Sequence, residues 1–338
     1  MEVWDLYDRY AKKTGRTVPK GAELSAEEYH LAMEVWIVNS KGEVLIQERS
    51  QDCEILPGIW GLTTGRMVAG EDTRSGCIRE LREELGLAVQ PEQLQFLRRI
   101  LRQDGTHLIW DIYLLQMDVP ISQLRLQSEE VSGAKWADLA ALRQLILTGK
   151  LFFYPEIWEI IEYLDSGAYR AEQLNEPKEK RAVATEVLEQ LPGWFENEQA
   201  RGKYAADCEN QAVFCARKDG KVAGFLAAKR LSDRAAEIAV MGVAPKIHRE
   251  GIGRALFWRC AAWCWQNGIG YLQVKTLGEK KPDAGYAKTR AFYQKMGFVP
   301  LECFDEIWGE ENPCQILVRY FFEDGIAKNE TQNKKRAG

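Results

Sequence analysis

The chain has 338 residues and a formal net charge of −5, a length that suits two domains of ordinary size. Its 46% hydrophobic residues and 11 tryptophans are enough to build real cores, which excludes a chain disordered throughout. No long Lys/Arg run interrupts the part expected to fold, so a nucleic-acid duplex is not expected as the main partner. Free nucleotides stay admissible, because a bound metal neutralises phosphate charge.

In chain order, the apolar runs 31–38 and 43–47 predict a hairpin around Asn39 to Gly42. Residues 62–68 predict a short strand that feeds a helix over 72–85, with Gly86 as its C-terminal cap and Leu87 as the accompanying apolar contact. Runs 94–102 and 107–117 predict a second hairpin, 131–136 a last strand, and 137–148 and 155–165 two helices. The pattern weakens at Asp165 and becomes polar through Arg181. This predicts a first domain over 1–170, a linker over 171–180 and a second domain over 181–325. The second domain begins a new series, with strands near 211–217, 221–230, 237–243 and 271–276 and a helix over 252–267. Residues 326–338 read as a disordered tail. No internal repeat is evident, so the two halves are different domains.

The eight cysteines form no Cys-x-x-Cys pair, and the helix-spaced Cys260 and Cys264 read as small core residues. The three histidines are too scattered to make a zinc site with them. Reduced thiols predict a cytoplasmic protein. The acidic, charge-broken start is no signal peptide, and no stretch approaches the roughly 18 apolar residues of a membrane span.

The first chemical signal lies at residues 65–87. On a helix, Glu80, Glu83 and Glu84 stand at i, i+3 and i+4 and share one face. Three crowded carboxylates repel one another, and a hard divalent cation turns that repulsion into a binding site. Ile78, Leu81 and Leu85 fall opposite and would anchor the helix. A solvated acidic face is the plainer reading, but Gly65 and Glu71 stand at fixed distances before the triplet. Together with Arg79, Gly86 and Leu87 they fill every fixed position of the box of the Nudix hydrolases, and residues 1–165 resemble that family.

The resemblance implies a mixed-sheet α/β/α sandwich and hydrolysis of a nucleoside diphosphate linked to another moiety. It implies Mg²⁺ or Mn²⁺ held by Glu80, Glu83 and Glu84 with the Gly65 carbonyl, and Glu83 and Glu84 as catalytic residues. Arg79 would orient a box carboxylate, with Glu71 behind it. Glu129 and Glu130 read as a solvated pair, and His30 and His107 as ordinary polar side chains. Segment 57–64, with residues 3–8 and 15–17, resembles the isopentenyl diphosphate isomerase subgroup. That isomerase needs a Cys where this chain has Thr64, followed by Gly65 and Arg66, so the expectation is a hydrolase and not an isomerase.

The second signal is a strand that ends at Val243, a turn carrying Arg249, Glu250, Gly251, Ile252, Gly253 and Arg254, and then a helix. Glycines let a ligand approach the backbone, and the first helical turn offers unpaired N–H groups to a pyrophosphate. A dinucleotide fold is the rival, but Leu256 stands where its third glycine belongs. With Phe292, Tyr293, Lys295, Gly297 and Phe298 further on, residues 180–322 resemble the GNAT superfamily of N-acetyltransferases. What this implies is acetyl-CoA as cosubstrate and an amine as acceptor. The backbone at Val243 would pair with the pantetheine arm, and main-chain N–H groups from Arg249 to Arg254 would hold the pyrophosphate. Tyr293 would protonate the departing thiolate. Glu237 would be the base, acting through a water, against the plainer reading of a strand-edge acid. His248 replaces the more usual Gln or Arg of this turn.

The expected whole is an α/β protein with mixed sheets, a Nudix sandwich followed by a GNAT domain. It would hydrolyse a small diphosphate substrate and acetylate an amine. The alternative is a Nudix domain that binds a nucleotide without turnover and regulates the acetyltransferase.

Overall fold

The computed structural model describes residues 2–102, 105–194, 197–309 and 311–321. The chain divides into two compact units, Met1–Ile161 and Glu162–Gly338. The expected tail, 326–338, lies outside the described residues.

The first unit opens with a ribbon of β1 (Val3–Tyr7) and β2 (Lys13–Pro19). There follow β3 (His30–Val38), β4 (Val44–Arg49), β5 (Trp60–Gly61), β6 (Thr63–Arg66) and helix α1 (Thr73–Leu85). Then come β7 (Leu94–Leu101), β8 (Leu108–Gln116), β9 (Val131–Ala137), α2 (Leu139–Leu147) and α3 (Ile157–Asp165), the last crossing into the second unit. The mixed sheet runs β5-β4-β3-β8-β7, with β6 also on β3 and β9 on β4. The hairpin expected of the first two apolar runs is almost absent. β3 and β4 meet only at Val38 and Val44. β3 is already paired in parallel with β8 and antiparallel with β6, so β4 turns its length to β9.

Strand alternation divides β3 between two environments. Met33, Val35 and Ile37 pack with Cys77, Leu81 and Leu85 of α1. Glu34 and Trp36 point to the other face, where Tyr154 meets them. Helix α1 is closed at both ends by its own sequence. Asp72 accepts from the Ser75 N–H at 2.7 Å, and Ser75 returns a bond to the Asp72 N–H. Gly86 takes φ 71°, the left-handed conformation that ends a helix, and the Leu87 N–H donates to the Leu81 carbonyl at 3.0 Å.

The second unit contains β10 (Glu172–Leu174), α4 (Pro177–Leu188), α5 (Glu198–Asp207), β11 (Ala212–Lys218), β12 (Lys221–Arg230) and β13 (Ala235–Val243). It continues with α6 (Ile252–Gln266), β14 (Tyr271–Leu277), α7 (Ala284–Lys295), β15 (Val299–Phe304) and β16 (Cys314–Tyr320). Its sheet runs β10-β11-β12-β13-β14-β16-β15. Residues 171–180 are therefore not a linker. Leu174 is buried opposite Val213 on β11, and α4 begins at Pro177, so the polar stretch is the edge strand and first helical turn of the second unit. Val183, Val187 and Leu188 of α4 pack on Phe225, Ala227 and Val240. α6 is buried nearly all round, with Cys260 and Cys264 in the core. No helix among the described residues is long and apolar enough to cross a membrane.

Candidate active sites

In the first unit, β6 delivers Gly65 directly against the acidic face of α1. A Cβ built on Gly65 would lie 2.1 Å from Glu80 Oε1, so only glycine admits the carboxylate here. Glu84 is 3% exposed, and its Oε2 accepts from Gln47 Nε2 at 2.7 Å. Burial pushes the Glu84 pKa up to about 8, aided by Glu80 and Glu130, and Gln47 only partly opposes this. Burial likewise pushes Glu80 up to about 7. Arg79 counters, while Glu130 and Glu83 add repulsion. Glu130, read from sequence as part of a solvated pair, is thus electrostatically part of the site.

Glu83 is arranged differently. Its carboxylate takes a 3.2 Å bond from Arg79 Nη1, which also donates to Glu80 at 2.9 Å. The rest of the Arg79 guanidinium is held by both oxygens of Glu71, each at 3.0 Å. Among the described residues, no three or more His, Cys, Asp or Glu side chains converge as a metal requires. The expected set of Glu80, Glu83 and Glu84 is therefore divided: Arg79 Nη1 bridges Glu80 and Glu83, while Glu84 is taken by Gln47. The donor chemistry still suits a divalent cation. Glu84 is buried and Glu80 half-buried, both with raised pKa values, and a cation would supply the positive charge that Arg79 gives only to Glu80.

Two buried polar residues escaped the sequence reading. Gln47 orients Glu84 and also meets Thr63 Oγ1 at 3.3 Å. Glu34 sits on the opposite face of β3, where Trp36 Nε1 donates to it at 2.7 Å and the Tyr154 hydroxyl donates as well. Burial raises Glu34 to about 7 against those two bonds. Each is a polar residue inside an apolar run, the one signal that could have marked them.

In the second unit the glycine turn is strained where a ligand would approach. Arg249 takes φ 73°, costly for a residue with a side chain, whereas Gly251 adopts φ 86° without strain. The Ala255 N–H makes the first helical bond of α6, to the Gly251 carbonyl, so the N–H groups of Ile252, Gly253 and Arg254 have no intrahelical acceptor. The Glu250 side chain pairs with Lys218, and Arg254 turns to Asp165 at 3.1 Å, leaving the turn lined by backbone. His248 Nε2 is 2.8 Å from the Val243 carbonyl, so this side chain shares the backbone acceptor expected for the pantetheine arm.

β13 and β14 are paired in parallel only from Ala235–Ile238 and Tyr271–Val274, and then separate. Beyond this fork β13 runs on to Val243 and β14 to Leu277. Tyr293 on α7 is 5% exposed and its hydroxyl lies 4.0 Å from Met241 Sδ. Burial holds the phenol well above its ordinary pKa, so it stays a proton donor.

Glu237 does not fit the base expected of it. Burial would raise its pKa, but hydrogen bonds from Lys275, Gln273 and Lys229 more than offset that and hold it below the ordinary value. Lys275 Nζ stands at 2.9 Å, Gln273 Nε2 at 2.7 Å and Lys229 Nζ at 3.2 Å. A carboxylate so well neutralised has little tendency to take a proton.

The NUDIX domain profile matches residues 28–157, and the acetyltransferase (GNAT) family profile matches 180–298. An uncharacterized Nudix hydrolase of Listeria monocytogenes is 34% identical over 155 residues, 46% of this chain and 90% of the relative. The isopentenyl-diphosphate Delta-isomerase of Citrobacter koseri is 27% identical over 169 residues, 48% of this chain and 91% of the relative. A solved acetyltransferase from Streptococcus agalactiae is 17% identical and covers 45% of this chain and 97% of its own, with a TM-score of 0.36. The chain belongs to the Nudix hydrolases through its first half and carries a GNAT acetyltransferase domain in its second.

Proposed function

We propose that the first domain hydrolyses a nucleoside-diphosphate-linked or related diphosphate with Mg²⁺ or Mn²⁺, and that the second transfers acetyl from acetyl-CoA to an amine. The observation that carries the first half is Glu80 pressed against Gly65 beside the buried Glu84, two carboxyls short of positive charge. Glu80 and Glu84 would hold the cation with the Gly65 carbonyl, and Glu83 would join them on release from Arg79. When bound, a divalent ion offsets the diphosphate charge and eases attack by water. Arg79 and Gln47 orient the carboxylates, and Glu130 adds negative charge beside Glu80 and Glu84.

For the second half, the fork between β13 and β14 gives the pantetheine arm a strand edge, and the free N–H groups of α6 face a pyrophosphate. The amine nitrogen bonds to the acetyl carbon as the C–S bond breaks. The nitrogen gives up its extra proton to water, the thiolate takes its proton from the Tyr293 hydroxyl, and Tyr293 is reprotonated from solvent, so no net proton is gained or lost. The acceptor enters as the neutral amine, since Glu237 is a poor base.

The test is phosphate and pyrophosphate release from a panel of nucleoside-diphosphate-linked compounds with Mg²⁺, comparing the full chain with Glu84→Gln. Metal-dependent release that the variant loses supports a hydrolase. Ligand binding without release by the folded wild type replaces it with the sensor reading.

A further inference from the structure

Four side chains at the mouth of the fork belong together, and catalysis as proposed uses none of them. Lys229, Glu237 and Gln273 form a row across β12, β13 and β14, because Glu237 is register partner to both. Lys275 is the first residue of β14 beyond the last paired position, Val274. Both ammonium groups converge on one carboxylate, at 3.2 Å and 2.9 Å. No other carboxylate among the described residues pairs with either lysine. Glu237 is buried, while Lys229 and Lys275 are partly open to solvent. Two positive charges against one negative leave one uncompensated positive charge, at the point where the strands part.

The chain as a whole is acidic, so this local excess runs against its composition. Its effect on an acceptor has two parts. A polyamine or other purely cationic amine is repelled by like charge at the fork. An amine that also carries a carboxylate or phosphate can set that group against Lys275 and Lys229. The nearby ammonium charges then favour its nitrogen in the neutral, nucleophilic form.

We infer that the acetyl acceptor of the second domain is an amine bearing a negatively charged group, held by Lys275 and Lys229 while Glu237 fixes the two lysines in place. This rests on the acetyltransferase reading proposed above.

The experiment measures CoA release by the full chain with acetyl-CoA and matched acceptors that differ only in the anionic group. Phosphoethanolamine is set against ethanolamine, and acidic and neutral amino acids against their amides, with spermidine as the cationic extreme. The expected result is a kcat/KM at least about tenfold higher for the charged member of a pair, a preference that weakens as salt is raised. Lys275→Gln should bring the pair to parity, and Lys275→Arg should restore the difference. Binding of acetyl-CoA to each variant, followed by calorimetry, reports that it is folded. Equal use of both members, preference for spermidine, no turnover of any acceptor, or a preference that survives Lys275→Gln overturns the inference. Failure of the wild-type chain to bind acetyl-CoA sinks the acetyltransferase reading instead, so the two failures are distinguishable.

Discussion

Glu84 and Glu237 are buried to nearly the same degree, 3% and 6% exposed, yet they titrate in opposite directions. Burial raises the pKa of both. Glu84 has one neutral donor, Gln47, and faces the negative charge of Glu80 and Glu130, so it rises to about 8. Glu237 has two ammonium groups and an amide, and it falls below the ordinary value. The first is a carboxyl awaiting a positive partner, which is how a cation site looks from its ligands. The second is already satisfied, and its work is to hold the lysines around it. Depth of burial does not distinguish these roles; the charge of the neighbours does.

The largest expected effect breaks the comparison at its first member. Glu84→Gln should lower metal-dependent hydrolysis by more than about 100-fold, since even supporting residues of a metal site cost 10–100-fold. Divalent-ion binding, followed by calorimetry, should weaken in parallel. A variant with wild-type hydrolysis would show that Glu84 is only a buried acid. Gly65→Ala tests the same site from the other side. Its new Cβ must displace Glu80, with a stability loss of about 1–3 kcal/mol and a clear drop in ion affinity. Thermal melts with and without Mg²⁺ separate these two effects.

The second member is tested by pairing it with Tyr293. Tyr293→Phe removes the buried donor and should lower kcat for acetyl transfer by about 100-fold while acetyl-CoA binding persists. Glu237→Gln should lower kcat by less than about tenfold, because the wild-type carboxylate is not positioned by charge to act as a base. A loss as large as that of Tyr293→Phe, with a shifted pH profile, would return Glu237 to the role of base.

Much of this was legible in the sequence because the box and the glycine turn are local. Gly86 and the i, i+3, i+4 acids mark α1 within one short stretch, and the structure builds that helix with the expected C-terminal cap. What failed was long-range. The 43–47 run looked like a hairpin partner of 31–38 because they are adjacent, but β8 and β6 occupy the flanks of β3. The 171–180 stretch looked like a linker because it is polar, yet an edge strand and a first helical turn are polar too. The ion pairs of Glu237 were invisible because Lys229 and Lys275 come from different strands. The tie of Glu83 to Arg79 is local, at i, i+4, but nothing in the spacing says whether Arg79 or a cation takes that carboxylate.

Glu34 provides the smallest and cleanest test, since it is as buried as Glu84 but stands on the opposite face of β3 from α1. Its pKa is about 7 in the folded chain against 4.5 unfolded. Below 4.5 both states are protonated and no penalty exists. Between 4.5 and about 7 the unfolded chain has released the proton while the folded chain retains it, so stability falls as pH rises. The fall should total on the order of 3 kcal/mol and then level off. Glu34→Gln keeps an acceptor for Trp36 and Tyr154 but has no proton to release, so denaturant titrations across this window should show a flatter pH profile. Because Glu34 does not touch α1, added Mg²⁺ should leave its share of the slope in place and remove only that of Glu80 and Glu84. A slope that Mg²⁺ abolishes entirely would mean that Glu34 contributes nothing to it and that its two hydrogen bonds already stabilise the charged form.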